Sequence, residues 1–345
     1  MKADGSSAAG RLRVAIGAAV TLVGLVAAVN FLVNPKGLFP PELFEPLMLP
    51  ARSAKMERLA RYGEAPDSVV FGSSRAFSVS PGTVARYRGG AAFNASVEGG
   101  SPIDHVAFMR YMRARWGRLP RTVVLALSPD ELFIPESVAT VDPGNPLLQY
   151  WSDTASFRLW VQRYALLLEP ELLWGSVKVL RRQAAGSSHA TWFRFDPDGY
   201  GQVPRSFEDR AFLDALFRNE LALRRDLFDH VRPIPEVQRR ALTELLTLSR
   251  AARAHVYVYL PPTHPRLLAH WRSKPGFERA AAEEFGLLRS QRHDIALMVC
   301  DFRDPADLDR PAGEGLYDVV HPSKGLSDEI LARLFEGRCA PGRLA

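Results

Sequence analysis

Three short stretches hold the residues of this chain that could do chemistry. Val69-Val70-Phe71-Gly72-Ser73-Ser74-Arg75 runs an apolar, β-branched segment straight into a glycine and two serines. That pattern predicts a short buried parallel strand ending in a tight turn. Ligands of open α/β sheets sit at the carboxyl ends of the strands, so Ser74 stands where a nucleophile would. A serine hydroxyl attacks poorly until a base takes its proton, and that base must be oriented by a third group. Tyr317-Asp318-Val319-Val320-His321-Pro322-Ser323-Lys324-Gly325 holds both. Asp318 and His321 are three residues apart, so one turn can bring the carboxylate against its own histidine and leave the other ring nitrogen for Ser74. On spacing alone, Ser74 could equally cap a following helix, with Asp318–His321 a surface turn. The third stretch, Asn94-Ala95-Ser96-Val97-Glu98-Gly99, follows the apolar Ala91-Ala92-Phe93.

Together these stretches resemble the SGNH (GDSL-like) hydrolase superfamily, over roughly residues 66 to 336. Its Gly-Asp-Ser block matches Gly72-Ser73-Ser74, with serine for aspartate. Its second block, an asparagine followed by an oxyanion-hole glycine, matches Asn94 and Gly99, and its Asp-x-x-His-Pro block matches Asp318, His321 and Pro322. The Gly-x-Asn-Asp block after the third strand is missing; Leu127-Ser128-Pro129-Asp130 stands there. The resemblance implies an α/β, three-layer flavodoxin-like fold with a parallel sheet in the order 2-1-3-4-5. It implies Ser74 as nucleophile, His321 as base, Asp318 as its partner, and the backbone N–H groups of Ser74 and Gly99 as the oxyanion hole. Arg75 and Ser128 are candidates to replace the missing asparagine, although Arg75 could equally sit in a surface ion pair. Asn94, Asp130 and His264 join them as candidate substrate contacts. Asp130 and Glu131 suit substrate hydroxyls or the capping of a helix.

The implied chemistry is serine-dependent ester hydrolysis or acyl transfer, with no cofactor and no metal. Membrane-anchored members with a variant third block resemble proteins that add or remove O-acetyl groups on exported polysaccharides. An acylated cell-envelope glycan is then the expected substrate, and polysaccharide-assembly proteins are candidate partners. A lipid esterase would differ by an exposed apolar rim, and an inactive glycan-binding or assembly scaffold by a silent site.

Those side chains need a scaffold. Apolar runs predict strands over 68–72, 91–95, 122–127, 255–260 and 295–300, and 3.6-residue periodicity predicts helices over 51–62, 102–116, 236–253, 277–292 and 323–335. Their alternation implies a parallel sheet with right-handed crossovers. Residues 130–234 break that alternation and read as a helical insertion roofing the site. It carries helical stretches near 152–168 and 171–184, a Gly186-Ser187-Ser188 break, a turn over 196–201 and a long helix from Ser206 to His230 begun by a Ser-x-x-Asp cap. Trp151, Trp160, Trp174 and Trp192 would either build a local core there or stack on sugars.

At 345 residues, 47% hydrophobic and 24% charged, the chain can bury a sizeable core. A net charge of +6 favours anionic lipid or glycan. The arginines are scattered and no nucleic-acid-binding motif occurs, so nucleic acid is not an expected partner. Val14–Val33 is uncharged and long enough to span a bilayer, or to serve as a signal peptide cut near Ala27-Ala28. The resulting plan is a cytoplasmic N-terminus (1–13), an anchor (14–33), a proline-rich stalk and first helix (34–66), the SGNH-like domain (67–336) and a tail (337–345). Cys300 and Cys339 lack metal-ligand spacing and are either one disulfide or two thiols. Lys2, Arg11 and Arg13 precede the apolar run, which predicts a single-pass protein of the cytoplasmic membrane with its body exported. A reporter enzyme that works only outside the cytoplasm, fused after Phe335, should therefore be active. A stably expressed but silent fusion would reverse the orientation.

Overall fold

Short β-branched runs form the centre of the molecule. The computed structural model describes residues 5–39, 43–47, 50–132, 147–151, 156–186, 193–230, 233–290, 295–311 and 313–339. Trp192, Ser187, Ser188, Pro40 and Pro41 lie outside the described residues, as do Lys2 and the outer ends of the helices expected over 152–168 and 277–292. Strands β1 (Ser68–Phe71), β2 (Ala92–Asn94), β3 (Thr122–Ala126), β6 (His255–Leu260) and β7 (Ala296–Asp301) make one parallel sheet in the order β2-β1-β3-β6-β7. Val70 lies opposite Asn94, and Phe71 opposite Leu125, so the ends of β1, β2 and β3 come level at Ser74. The other two strands, β4 (Arg194–Phe195) and β5 (Gly201–Gln202), pair only with each other.

Both faces of the sheet are covered, and the strand period of two sorts the side chains. Val69, Phe71, Val123, Leu125, Val256 and Val258 face α2 (Ala51–Ala60), α4 (Pro102–Trp116) and α8 (Glu236–Ala251). Val70, Val124, Tyr257 and Tyr259 face α3 (Pro81–Arg88) and α11 (Lys324–Phe335). Local chemistry sets the helix starts. Ser101 and Asp104 form a capping box before α4, whose first residue is proline, and Gly117 closes that helix in the left-handed region. Ser323 caps α11 by accepting from the Leu326 N–H.

Several sequence expectations change. The helix expected from Ser206 to His230 is a 3-10 turn (Arg205–Glu208) followed by α7 (Arg210–Arg224). Asp209, not Ser206, is the cap, accepting from the Ala211 and Phe212 N–H groups. The turn over 196–201 closes the small β4–β5 hairpin, which covers the β2 edge through Asn94 N–H to Asp198 O at 2.9 Å. The core of this part of the insertion is built by Phe193, Phe195 and Phe207; Trp160 and Trp174 are 55% and 54% exposed, and Trp151 packs against the main core. The proline-rich stretch is not a free stalk. Leu38 and Phe39 are buried against Leu166, Leu167 and Leu172, and Met56 and Leu59 of α2 belong to the main core. Cys300 and Cys339 are joined as a disulfide that ties the tail to β7.

Helix α1 (Gly5–Val33) has 25 residues, Ala9–Val33, of mean hydropathy 2.3. Among the described residues it is the one helix long and apolar enough to cross a membrane, and a signal sequence would meet the same test. Its last turn is anchored to the 3-10 turn Leu166–Leu168 that follows α5 (Ser156–Ala165) and to α6 (Pro170–Ala184). Buried Asn30 donates to Leu167 O and accepts from Ser176 Oγ, both at 2.8 Å.

Beneath the end of β1, His105 of α4 is fully buried and stacks on Phe71, with ring centroids 5.2 Å apart. Burial drives its imidazole down to about 4 from 6.5, with Asp104 opposing. The folded state thus refuses a proton that the unfolded chain takes up, so stability is whole above pH 6.5 and falls as the pH drops toward 4. That difference corresponds to roughly 3 kcal/mol. His105→Phe should flatten the melting-temperature profile between these pH values, and an unchanged acid slope would refute the assignment.

Candidate active site

The Ser74 loop is built by steric limits at the end of β1. Gly72 takes φ 151°, where an L side chain is rarely found, and a Cβ there would lie 2.9 Å from Ala126 Cβ. The chain then turns through a 3-10 segment, Ser74–Ala76, started by Ser73, whose Oγ accepts from the Arg75 N–H at 3.2 Å and donates to Glu131. Ser74 is 8% exposed, and its Oγ lies 2.9 Å from His321 Nε2.

The histidine segment is held from all sides. Asp318 Oδ2 is 2.5 Å from His321 Nδ1, while its Oδ1 accepts from the Val320 and His321 N–H groups at 2.8 and 2.9 Å. Burial works against the Asp318 charge, but the His321 ring and these N–H donors prevail and hold its carboxyl below the usual range. Tyr317 N–H donates to His321 O, His264 N–H to Val319 O, and Ser78 Oγ to Pro322 O. Val319 and Val320 are buried among Leu267, Leu268 and Trp271.

Gly99 sits in the turn after β2 with φ 56°. The Val97 N–H donates to Gly72 O at 3.1 Å, which lays this turn over the end of β1. Gly100 crosses so close that a Cβ on it would overlap the Gly72 carbonyl oxygen. Arg52 of α2 forks onto Asp104 at 2.7 and 2.9 Å, and Asp104 accepts from the Ser101 N–H, so the segment leading into α4 is fixed as well. Among the described residues, no acceptor takes the backbone N–H of Ser74 or of Gly99.

Other sequence candidates have different work. Asn94 is fully buried; its Nδ2 donates to the Ala76 and Val79 carbonyls and its Oδ1 accepts from Ser96, so it braces the loop. Arg75 is no surface ion pair. It is 1% exposed and donates to Ser128 Oγ and Thr263 Oγ1 at 2.6 Å, to Pro262 O at 3.1 Å and to Val320 O at 3.4 Å. Arg75 and Ser128, the two candidates to replace the missing asparagine, are bonded to each other. His264 caps α9 (Pro265–Arg272), accepting from the Arg266 N–H at 3.2 Å, and its ring meets Phe217 edge-on. Glu131 is buried against Ser73, away from any substrate hydroxyl. The Asp130 side chain lies outside the described residues.

Two further side chains belong to the site's surroundings. Burial raises the Glu98 carboxyl, with Arg52 and His321 opposing and Glu220 of α7 adding to the rise, which places an insertion helix near the site. Lys55 is fully buried, donates to Asn94 O at 2.9 Å and to Gly199 O, and lies 4.4 Å from the centre of the Phe195 ring. Burial, with Arg58 adding to it, lowers its ammonium well below the usual lysine range, against Asp198. No motif marks either residue. The Ser101-Pro102-Ile103-Asp104 capping box was the one readable sign of how the Gly99 turn is held.

Arg75 ties together the ends of β1, β3 and β6 and the histidine segment. Arg75→Met should lower the unfolding free energy by about 3 kcal/mol or more, since it leaves buried acceptors without a donor. The midpoint of urea denaturation checks this, and a change below about 1 kcal/mol would show that the strand ends hold together without the guanidinium.

No protein-family model matches the chain, and no curated protein matches its sequence, so what the site does is read from its geometry alone.

Proposed function

We propose that residues 67–336 form an SGNH-type enzyme that cleaves esters or transfers their acyl groups through Ser74. The observation that carries this reading is the continuous chain from Ser74 Oγ to His321 Nε2 at 2.9 Å and from His321 Nδ1 to Asp318 Oδ2 at 2.5 Å. Ser74 Oγ attacks the acyl carbon while His321 takes its proton, and Asp318 stabilises the imidazolium. The unused N–H groups of Ser74 and Gly99 are donors for the oxyanion, each worth about 3 kcal/mol in comparable sites. His321 then returns the proton to the leaving alcohol, and water or another hydroxyl removes the acyl group from Ser74. The sheet order β2-β1-β3-β6-β7 is the one a flavodoxin-like SGNH fold requires, with the reacting groups at its carboxyl edge.

The body is held at the outer face of the cytoplasmic membrane by α1. By resemblance, the acyl acceptor or ester is an O-acylated cell-envelope glycan, handled together with polysaccharide-assembly proteins. One observation favours a lipid ester as well: Phe157, Trp160, Leu168, Trp174 and Leu180 of the insertion are exposed. An inactive scaffold would have no need of a charge-paired histidine aligned on a serine.

Ser74→Ala should abolish labelling by a serine-directed fluorophosphonate and leave the melting temperature unchanged to within a few degrees. A wild-type protein that folds but refuses the probe would favour the scaffold reading.

A further inference from the structure

A groove of about 870 Å³ runs between the insertion and the segment that follows α1. That volume is within the usual range of small-molecule sites. Its walls are apolar, made by Pro35, Leu38, Leu47, Leu166, Leu172 and Trp174. The turn that carries Gly99, the candidate oxyanion donor, also lines it, together with Glu98. Lys36, Arg52 and Lys178 line it together with Glu98, Glu169 and Glu171, so charges of both signs border the apolar walls.

The groove also has a defined place relative to a membrane. The 20 uncharged residues of α1, Val14–Val33, extend about 30 Å, the thickness of a hydrocarbon layer. The last turn of α1 therefore leaves the bilayer at headgroup depth, and there Asn30 is bonded to Leu167 and Ser176 of the insertion. Exposed Trp174 lies on α6, anchored in this way, and exposed Trp160 on α5, just before the anchored 3-10 turn, where a bilayer interface favours tryptophan. The apolar wall and the membrane exit are made by the same residues, because Leu38, Leu166 and Leu172 pack against Ala27 and Phe31 of α1.

We propose that this groove takes the acyl chain of a membrane-lipid ester, drawn from the leaflet in which α1 ends, with the ester carbonyl placed at Ser74. The proposal rests on the serine reading above and names the donor for that chemistry. Ser74 Oγ forms a bond to the carbonyl carbon, and the bond from that carbon to the lipid alcohol oxygen breaks. The alcohol departs with the proton that His321 took from Ser74, leaving the acyl group on the serine. Water or a glycan hydroxyl then attacks the acyl carbon, gives its proton to His321, and restores Ser74 as that proton returns to Oγ.

The test compares ethyl- and dodecyl-substituted fluorophosphonates on the full-length chain in phosphatidylcholine vesicles, with Leu47→Trp as the variant that narrows the groove. The wild type should label at least about tenfold faster with the dodecyl probe, and Leu47→Trp should lose most of that preference while keeping its ethyl rate within about twofold. Equal wild-type rates for the two probes, or a variant that slows both alike, would overturn the lipid-chain proposal and leave the serine reading standing. No labelling of Ser74 by either probe would overturn both. If Leu47→Trp does not fold, the wild-type comparison decides alone.

Discussion

The site depends on how closely backbones can approach one another at Gly72. With a side chain there, β1 could not end against Ala126 of β3, and with one at Gly100 the Gly99 turn could not come down onto the Gly72 carbonyl. The Val97 N–H bond to that carbonyl joins the turn after β2 to the turn after β1, and these are the two turns with unused N–H groups. Because α4 begins at Pro102 under a Ser101–Asp104 box held by Arg52, the Gly99 turn has little freedom to relax away. A donor that is already oriented costs no reorganisation when charge develops, which is what an oxyanion hole requires.

Buried cations hold the pieces of this edge together. Arg75 gathers Ser128, Pro262, Thr263 and Val320 from three separate chain segments, and Lys55 joins the carbonyls of Asn94 and Gly199 from two more. Removing a charge from water is costly, and such groups persist where several hydrogen bonds receive them. Apolar packing would tolerate small slips between segments; a guanidinium with fixed donor directions does not. The arrangement fixes registry at the point where Ser74, a residue from one end of the chain, must meet His321 from the other.

The insertion serves two neighbours at once. Its β4–β5 hairpin covers the edge of β2 and caps the aromatic cluster around Phe77, which lies just after Ser74. Its 3-10 turn Leu166–Leu168 and helix α6 receive the last turn of α1 and line the groove that Gly99 also borders. One polar residue inside the apolar helix, Asn30, makes that junction specific, since a buried amide leaves few geometries that satisfy both its donor and its acceptor.

Local signals determined much of this protein in advance. The run into Gly72, the three-residue spacing of Asp318 and His321, the proline and serine at the start of α4, and the apolar length of α1 each act within a few residues, so they are legible in order along the chain. The misjudged parts involve partners distant in sequence. Arg75 reads in the sequence as either a site candidate or a surface ion pair because its acceptors lie 53, 187, 188 and 245 residues away. Asn94 looked like a site residue because an asparagine at a strand end reads alike whether its amide faces a substrate or the carbonyls of Ala76 and Val79. The start of α7 passed to Asp209 because two nearby residues could each cap a helix, and the packing of Phe207 inside the aromatic cluster selected one. The sequence alone therefore determined which residues can do chemistry and which elements carry them. Only the tertiary structure decided which polar groups face one another, because burial and hydrogen-bond direction are properties of segments brought together from opposite ends of the chain.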